Sequence, residues 1–329
     1  MQRRPSRWRA AIVTLTLNPA VDVSFAVDRL TPGPKLRCRD VRRDPGGGGL
    51  NVARVIRRLG GKALAVFPAG GATGEQLQTL LRRERTPHMA IPIAGETRED
   101  YTAEERATGA EYRFVTPGPR LKAAEQAAVI AAAFADPPPR VLVASGSLPA
   151  GAPAGLYGRL ATAARARGVR LALDASGPAL RQGLTAGVWL TKPNLEELAS
   201  LTGGPLPDLD ARLAACRSLV RQGQAEIVAL SMAAEGALIV SADGAWRAAA
   251  PRITPVSTVG AGDSFMGGLV LALSRRLAVP EALRWAVAAG SAALMAPGTQ
   301  LCRAADVQAL LPRIKPEPLS ATPPRPAAA

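Results

Sequence analysis

Short apolar runs alternate with longer stretches of mixed polarity along most of the chain. Residues 11–17 read as a buried strand without charges, and residues 63–68, 140–144, 171–175, 187–191 and 227–231 as further short apolar strands, built mainly from Val, Ile, Leu, Ala and Thr. Between and around them lie stretches with helical spacing: residues 52–59, 73–84, 123–134, 155–167, 195–201, 211–222 and 265–273. Strand and helix in alternation predict an α/β fold with a mostly parallel sheet covered on both faces.

Two excursions break the rhythm. Residues 21–30 and 36–44 alternate with a period of two around the turn Thr31-Pro32-Gly33-Pro34, and residues 98–117 form a second extended stretch turning at Thr108-Gly109-Ala110. Within it residues 101–106 are charged and read as a poor strand. A hairpin is predicted over 237–244, turning at Asp243-Gly244. Residues 1–10 read as a flexible basic extension, 11–314 as the folded domain, and the Pro/Ala-rich 315–329 as a disordered tail.

The formal charge of +15 would ordinarily suggest a nucleic-acid partner. The excess is Arg, spread through helical segments such as Arg54-Val55-Ile56-Arg57-Arg58, in a chain rich in Ala and without an aromatic stacking platform. It reads as compositional bias, so no specific nucleic acid is expected. Lysine is confined to Lys35, Lys62, Lys122, Lys192 and Lys315. Cys38, Cys216 and Cys302 are far apart, with no metal-site spacing. No run approaches a membrane span and no signal core is present, so a cytoplasmic protein without membrane association is expected. His88 precedes a strand pattern and reads as a loop or core histidine.

Candidate chemistry concentrates in two glycine-rich stretches. Thr258-Val259-Gly260-Ala261-Gly262-Asp263-Ser264-Phe265 places two glycines and an acid where an apolar helix begins. Free N–H groups and the positive end of a helix dipole make that junction an anion site. Gly260, Ala261 and Gly262 would face developing phosphoryl charge. Asp263, ionised with an ordinary Asp pKa, would take the proton of an attacking hydroxyl. The absence of Lys-Ser/Thr after the glycines excludes a Walker A loop. In Gly46-Gly47-Gly48-Gly49-Leu50-Asn51-Val52-Ala53-Arg54 a ligand could lie against bare backbone. Asp22, Ser145-Gly146-Ser147, Lys192-Pro193-Asn194 and Ser231 all follow predicted strands, the end at which doubly wound sheets bind ligands. Asn194 and Glu197 share a helix face, as a capping box or as a metal-organising pair.

These stretches, with Thr14-Leu15-Thr16-Leu17-Asn18-Pro19-Ala20-Val21-Asp22, resemble the ribokinase-like (phosphofructokinase B) family of sugar kinases. Gly33-Pro34-Lys35-Leu36-Arg37-Cys38, residues 67–75, Ser145-Gly146-Ser147-Leu148-Pro149 and Lys192-Pro193-Asn194-Leu195-Glu196-Glu197 resemble its 6-phosphofructokinase branch. The resemblance spans about residues 12–311. It implies a three-layer αβα ribokinase-like fold with a small β lid (about 21–44 and 98–117) whose edges pair between two subunits of a homodimer. It implies transfer of the γ-phosphoryl of ATP to the 1-hydroxyl of fructose 6-phosphate. On this resemblance Asp22, Gly47, Gly48 and Asn51 recognise sugar hydroxyls. Lys35, Arg37, Arg98 and Ser147 hold the sugar phosphate, for which a guanidinium fork is well suited. Lys192, Asn194, Ser231, Gly236, Thr258 and Gly260 meet ATP. Asn194 and Glu197 organise Mg2+ largely through water, and backbone carbonyls around Ser257, Val259, Ala293, Ala296 and Gly298 could bind K+. Two positions depart from the wider pattern: Ala233 replaces a frequent Gly, and Ser257 a frequent Asp. 1-Phosphofructokinase, tagatose-6-phosphate kinase and a catalytically silent sugar-phosphate sensor remain as alternatives.

Overall fold

A computed structural model describes residues 11–134, 137–298 and 300–319. The basic extension and most of the expected tail lie outside the described residues. In chain order the elements are β1 (Ile12–Leu15), β2 (Ala20–Val27), β3 (Arg39–Gly46), α1 (Gly48–Arg58), β4 (Ala63–Ala69), α2 (Gly71–Arg83), β5 (His88–Pro92), β6 (Arg98–Glu105), β7 (Ala110–Phe114) and α3 (Ala123–Ala133). There follow β8 (Val141–Ser145), α4 (Leu156–Ala166), β9 (Arg170–Asp174), α5 (Gly177–Thr185), β10 (Val188–Thr191), α6 (Leu195–Thr202), α7 (Leu209–Arg221) and β11 (Ala225–Ser231). The chain continues through β12 (Ala237–Ser241), β13 (Gly244–Ala248), α8 (Ala261–Ser274), α9 (Val279–Leu294), α10 (Ala304–Leu310) and β14 (Glu317–Pro318).

Ten strands form one sheet in the order β14-β13-β12-β11-β10-β9-β8-β1-β4-β5. From β5 to β11 every pairing is parallel, and β12 to β14 extend the edge antiparallel. β1, β4, β8 and β10 are buried at every residue, which is why they read as uncharged runs rather than alternating strands. One apolar cluster joins the sheet to α1, α2, α8, α9 and α10, and the other joins it to α3–α7. These are the three expected layers.

Neither α5 nor α9 is apparent in the sequence pattern. α9 is Ala-rich and buried around most of its circumference, so it shows little contrast between faces. The tail also begins later than expected, since Glu317–Pro318 pairs with Trp246 and Arg247 at the sheet edge. His88 opens β5, its Nδ1 2.9 Å from the Thr86 carbonyl oxygen and its ring tilted on Phe67. Among the described residues no helix is long and apolar enough to cross a membrane.

The excursions form a separate four-stranded sheet, β3-β2-β6-β7. Residues 101–106 are a strand after all through Glu105: β6 runs parallel to β2 over its whole length. Its charge is accommodated because the buried Glu105 carboxylate accepts from the Leu30 N–H at 3.0 Å and from Thr108 Oγ1 at 2.7 Å.

Candidate active site

Of the helices that begin at the C-terminal ends of the parallel strands, α1, α6 and α8 carry the candidate residues at their starts. Gly260 caps α8 in the left-handed region at φ 76°, where an L side chain is strained, and its carbonyl accepts the Ser264 N–H at 2.9 Å. The N–H groups of Ala261 and Gly262 belong to the first helical turn, which has no partners of its own within the helix. The second glycine run is demanded by close approach. A β-carbon on Gly46 would strike the Asp22 carboxylate, and one on Gly48 would strike Ser145 Oγ. Thr16 Oγ1 accepts the Leu50 N–H at 2.8 Å and so fixes the start of α1 against the end of β1.

Asn51 of α1 and Asp263 of α8 lie 212 residues apart and meet here: Asn51 Nδ2 donates to Asp263 Oδ2 at 2.9 Å. Lys192, which follows β10 and is 7% exposed, pairs with Asp174 Oδ1 at 3.3 Å. Its ammonium also lies beside Gly262. Asp263 does not keep the ordinary carboxylate pKa expected from sequence. Burial and then the Asp174 charge push it up to about 6, against the Asn51 hydrogen bond and the Lys192 and Arg54 charges, which act downwards. It remains mostly ionised at neutral pH and is a better proton acceptor than an ordinary aspartate.

Asp22 is the second raised carboxyl. Burial, then Asp100, push it up to about 7 against Arg54 and Arg113. The lid register explains this: Asp44, Asp22 and Asp100 stand opposite one another on β3, β2 and β6. Arg42 pairs with Asp44 at 2.7 Å and Arg98 with Asp100 at 3.1 Å. Arg98 is thus held inside the lid, with a further bond to the Thr116 carbonyl at 2.9 Å. Its Nε is buried without a partner. Ser147 Oγ accepts from Asn18 Nδ2 at 3.1 Å beside the β1 end. Lys35 and Arg37 are exposed on the β2–β3 connection.

On the nucleotide side the capping box is fully formed. Asn194 Oδ1 accepts the Glu197 N–H at 2.8 Å and Glu197 Oε2 accepts the Asn194 N–H at 2.9 Å. Asn194 also bridges to Ser231, bringing β10 and β11 ends together. Gly236 abuts the Ala248 carbonyl where β12 begins, and Thr258 is exposed ahead of α8. Ala233 adopts φ 49°, so the departure from Gly there leaves a side chain in the left-handed region. Among the described residues no three His, Cys, Asp or Glu side chains could hold a metal ion together. The segments of the suggested K+ site do meet: the Val256 N–H bonds to the Leu294 carbonyl at 2.7 Å and the Ala296 N–H to the Ala293 carbonyl at 3.1 Å. Ser24 of the lid lies close to Gly298.

Two residues of this site escape the sequence reading. Asp174 ends β9 and contacts both Lys192 and, at 3.4 Å, Ser145 Oγ. The end-of-strand rule that singles out Asp22 would have found it. Arg54 is not part of a diffuse Arg excess: it is 1% exposed and bonds to Asn51, Pro45 and Glu84.

The sequence profile of pfkB family carbohydrate kinases matches residues 12–306. The ATP-dependent 6-phosphofructokinase isozyme 2 of Mycobacterium tuberculosis is 42% identical over 92% of this chain and 91% of its own length. The protein of the same name from Escherichia coli is 40% identical over 90% and 96%. The crystal structure of phosphofructokinase-2 from Escherichia coli in complex with potassium superposes with a TM-score of 0.89 at 39% identity, covering 92% of this chain and 99% of that one. With its converging helix N-termini and buried acid, the chain belongs to the pfkB family of carbohydrate kinases.

Proposed function

We propose that this chain is an ATP-dependent 6-phosphofructokinase, moving the γ-phosphoryl of ATP onto the 1-hydroxyl of fructose 6-phosphate. The observation that carries the reading is the meeting of Asp263, Asn51, Lys192 and the Gly260–Gly262 turn at one point. Asp263 accepts the hydroxyl proton as attack begins. The N–H groups of the turn and the Lys192 ammonium receive charge on the transferring group. Asp22, over Gly46, accepts from a sugar hydroxyl on the lid side. Arg98, with Ser147, lies on the side where the sugar phosphate would be bound, and Lys35 and Arg37 are free to reach it from the exposed connection. Ser231, Gly236 and Thr258 border the nucleotide.

Asp174, Glu197 and Asp263 all surround Lys192, and this surplus of negative charge suits a dication that arrives with the nucleotide. Magnesium bound to ATP would neutralise the phosphate oxygens, with Glu197, Asn194 and Asp174 holding its water. The meeting of residues 256–259 with 293–298 supports a K+ site that steadies the α8 turn. Val41 on β3 and Tyr112, Phe114 and Val115 at β7 are exposed at both lid edges, which supports a homodimer paired through its lids.

The test is ADP release with fructose 6-phosphate, fructose 1-phosphate and tagatose 6-phosphate in turn. Highest kcat/KM with fructose 6-phosphate is expected. Preference for fructose 1-phosphate or tagatose 6-phosphate would reassign the sugar, and binding without ADP release would make the chain a sensor.

A further inference from the structure

The buried ion cluster behind the site has no part in the chemistry just described. Arg54 has four close bonds: Nε to Glu84 Oε2 at 2.8 Å, Nη2 to Glu84 Oε1 at 2.6 Å, and Nη1 to the Pro45 carbonyl at 2.8 Å and to Asn51 Oδ1 at 2.9 Å. A fully buried guanidinium is tolerated only when paired and hydrogen-bonded in this way. Glu84 caps the C-terminal end of α2, where the helix dipole disfavours an acid. Burial pushes its carboxyl up, but the Arg54 bonds and the Arg54 and Arg58 charges outweigh that and hold it below the usual range.

The consequence lies at Asn51. One end of its amide only accepts and the other only donates. Arg54 only donates, so it must meet Oδ1, which leaves Nδ2 for the Asp263 carboxylate at 2.9 Å. A reversed amide would set carbonyl against carboxylate and NH2 against guanidinium. We propose that Arg54, braced by Glu84, is a positioning residue for the base: it locks the Asn51 amide so that a donor, never an acceptor, faces Asp263. The Glu84 carboxylate also lies 3.6 Å from Arg58 Nη2. Arg58 in turn donates to the Leu301 carbonyl at 2.9 Å, and the Leu301 side chain packs beside Gly260. Glu84 therefore braces both the base and the phosphoryl-binding turn.

This inference rests on Asp263 being the base. The charged groups around that carboxylate are Arg54 from α1, Asp174 from β9, Lys192 after β10 and Asp22 from β2. The experiment follows the Asp263 carboxyl carbon by 13C NMR in the ligand-free full-length protein, identified by its loss in Asp263→Asn, together with kcat against pH at saturating substrates. Arg54→Met removes a cation and should raise the Asp263 midpoint by about 0.5 pH unit or more. It should also lower kcat at least about tenfold at pH 8, where the base is ionised, with KM for MgATP within about twofold. Glu84→Gln takes away the brace on Arg54 and should also move the midpoint up, whereas the lost negative charge alone would move it down. An upward shift in Glu84→Gln therefore reports the freed Asn51 amide and not the change of charge. A midpoint that stays put or falls in Glu84→Gln overturns the positioning role. Should Arg54→Met fail to fold, the sign in Glu84→Gln decides alone. Wild-type turnover in Asp263→Asn would instead remove the base assignment itself.

Discussion

The central sheet and the lid sheet meet at the site but are built differently. β1, β4, β8 and β10 are buried at every position, while three of the five residues of β7 are exposed and the first three of β3 are exposed as well. The central sheet carries the reactive groups on helix starts and strand ends held by two apolar clusters. The lid carries a row of carboxylates, Asp44, Asp22 and Asp100, balanced by Arg42, Arg54 and Arg98. Its apolar side chains face outwards at both edges. On the proposed function the central sheet is the floor that positions the reacting groups, as phosphoryl transfer requires, and so governs turnover. The lid, a thin sheet poised on charge balance, would then govern which acceptor is bound.

The largest expected effect is on the floor. Asp263→Asn should keep the fold and both ligands but lower kcat by about two to four decades. Near-wild-type turnover would show that the floor merely binds. On the lid, Arg98→Ala should reduce kcat/KM for fructose 6-phosphate at least about tenfold, because charge-assisted bonds to an ion are worth roughly 1.5–3 kcal/mol. MgATP affinity should hold. Equal losses with free fructose would make Arg98 only the partner of Asp100 and Thr116.

Asp22 sharpens the comparison through pH. Its folded pKa of about 7 stands above the ordinary 3.8, so the folded chain retains a proton that the unfolded chain releases. Stability therefore falls as pH rises from about 3.8 to 7, and the ionised acid needed for a sugar hydroxyl gains over the upper part of that range. Fructose 6-phosphate KM should decrease between pH 6 and 8. Asp22→Asn should raise Tm more at pH 8 than at pH 5 while weakening the sugar. An equal Tm gain at both pH values would mean that charge burial is not the cause.

The smallest effect belongs to the central sheet's periphery. Ala233→Gly relieves a left-handed φ of 49° that costs an L residue about 1 kcal/mol, and Tm should rise by about 2 °C. An unchanged melting curve would mean the turn is unstrained.

The order of most strands and helices was readable because short apolar runs are the mark of strands covered on both faces, and longer mixed stretches the mark of their covers. The glycine motifs were readable as a place of close backbone approach because a β-carbon on Gly46 or Gly48 would clash and Gly260 takes a left-handed φ that strains an L side chain. The charged strand β6 was misread because its satisfaction depends on Leu30 and Thr108, which pattern alone does not bring near. Arg54 looked like one of many arginines, and Asp174, at the end of a strand, drew no reading at all. Their roles arise from Glu84 and Lys192, brought close by packing, and from Asn51, about one helical turn before Arg54 in α1. Local sequence set the backbone elements and their apolar runs, because these depend on neighbours along the chain. The proton affinities of Asp22 and Asp263 and the orientation of Asn51 were set by tertiary structure, because desolvation and charge proximity are distances between residues the chain keeps far apart.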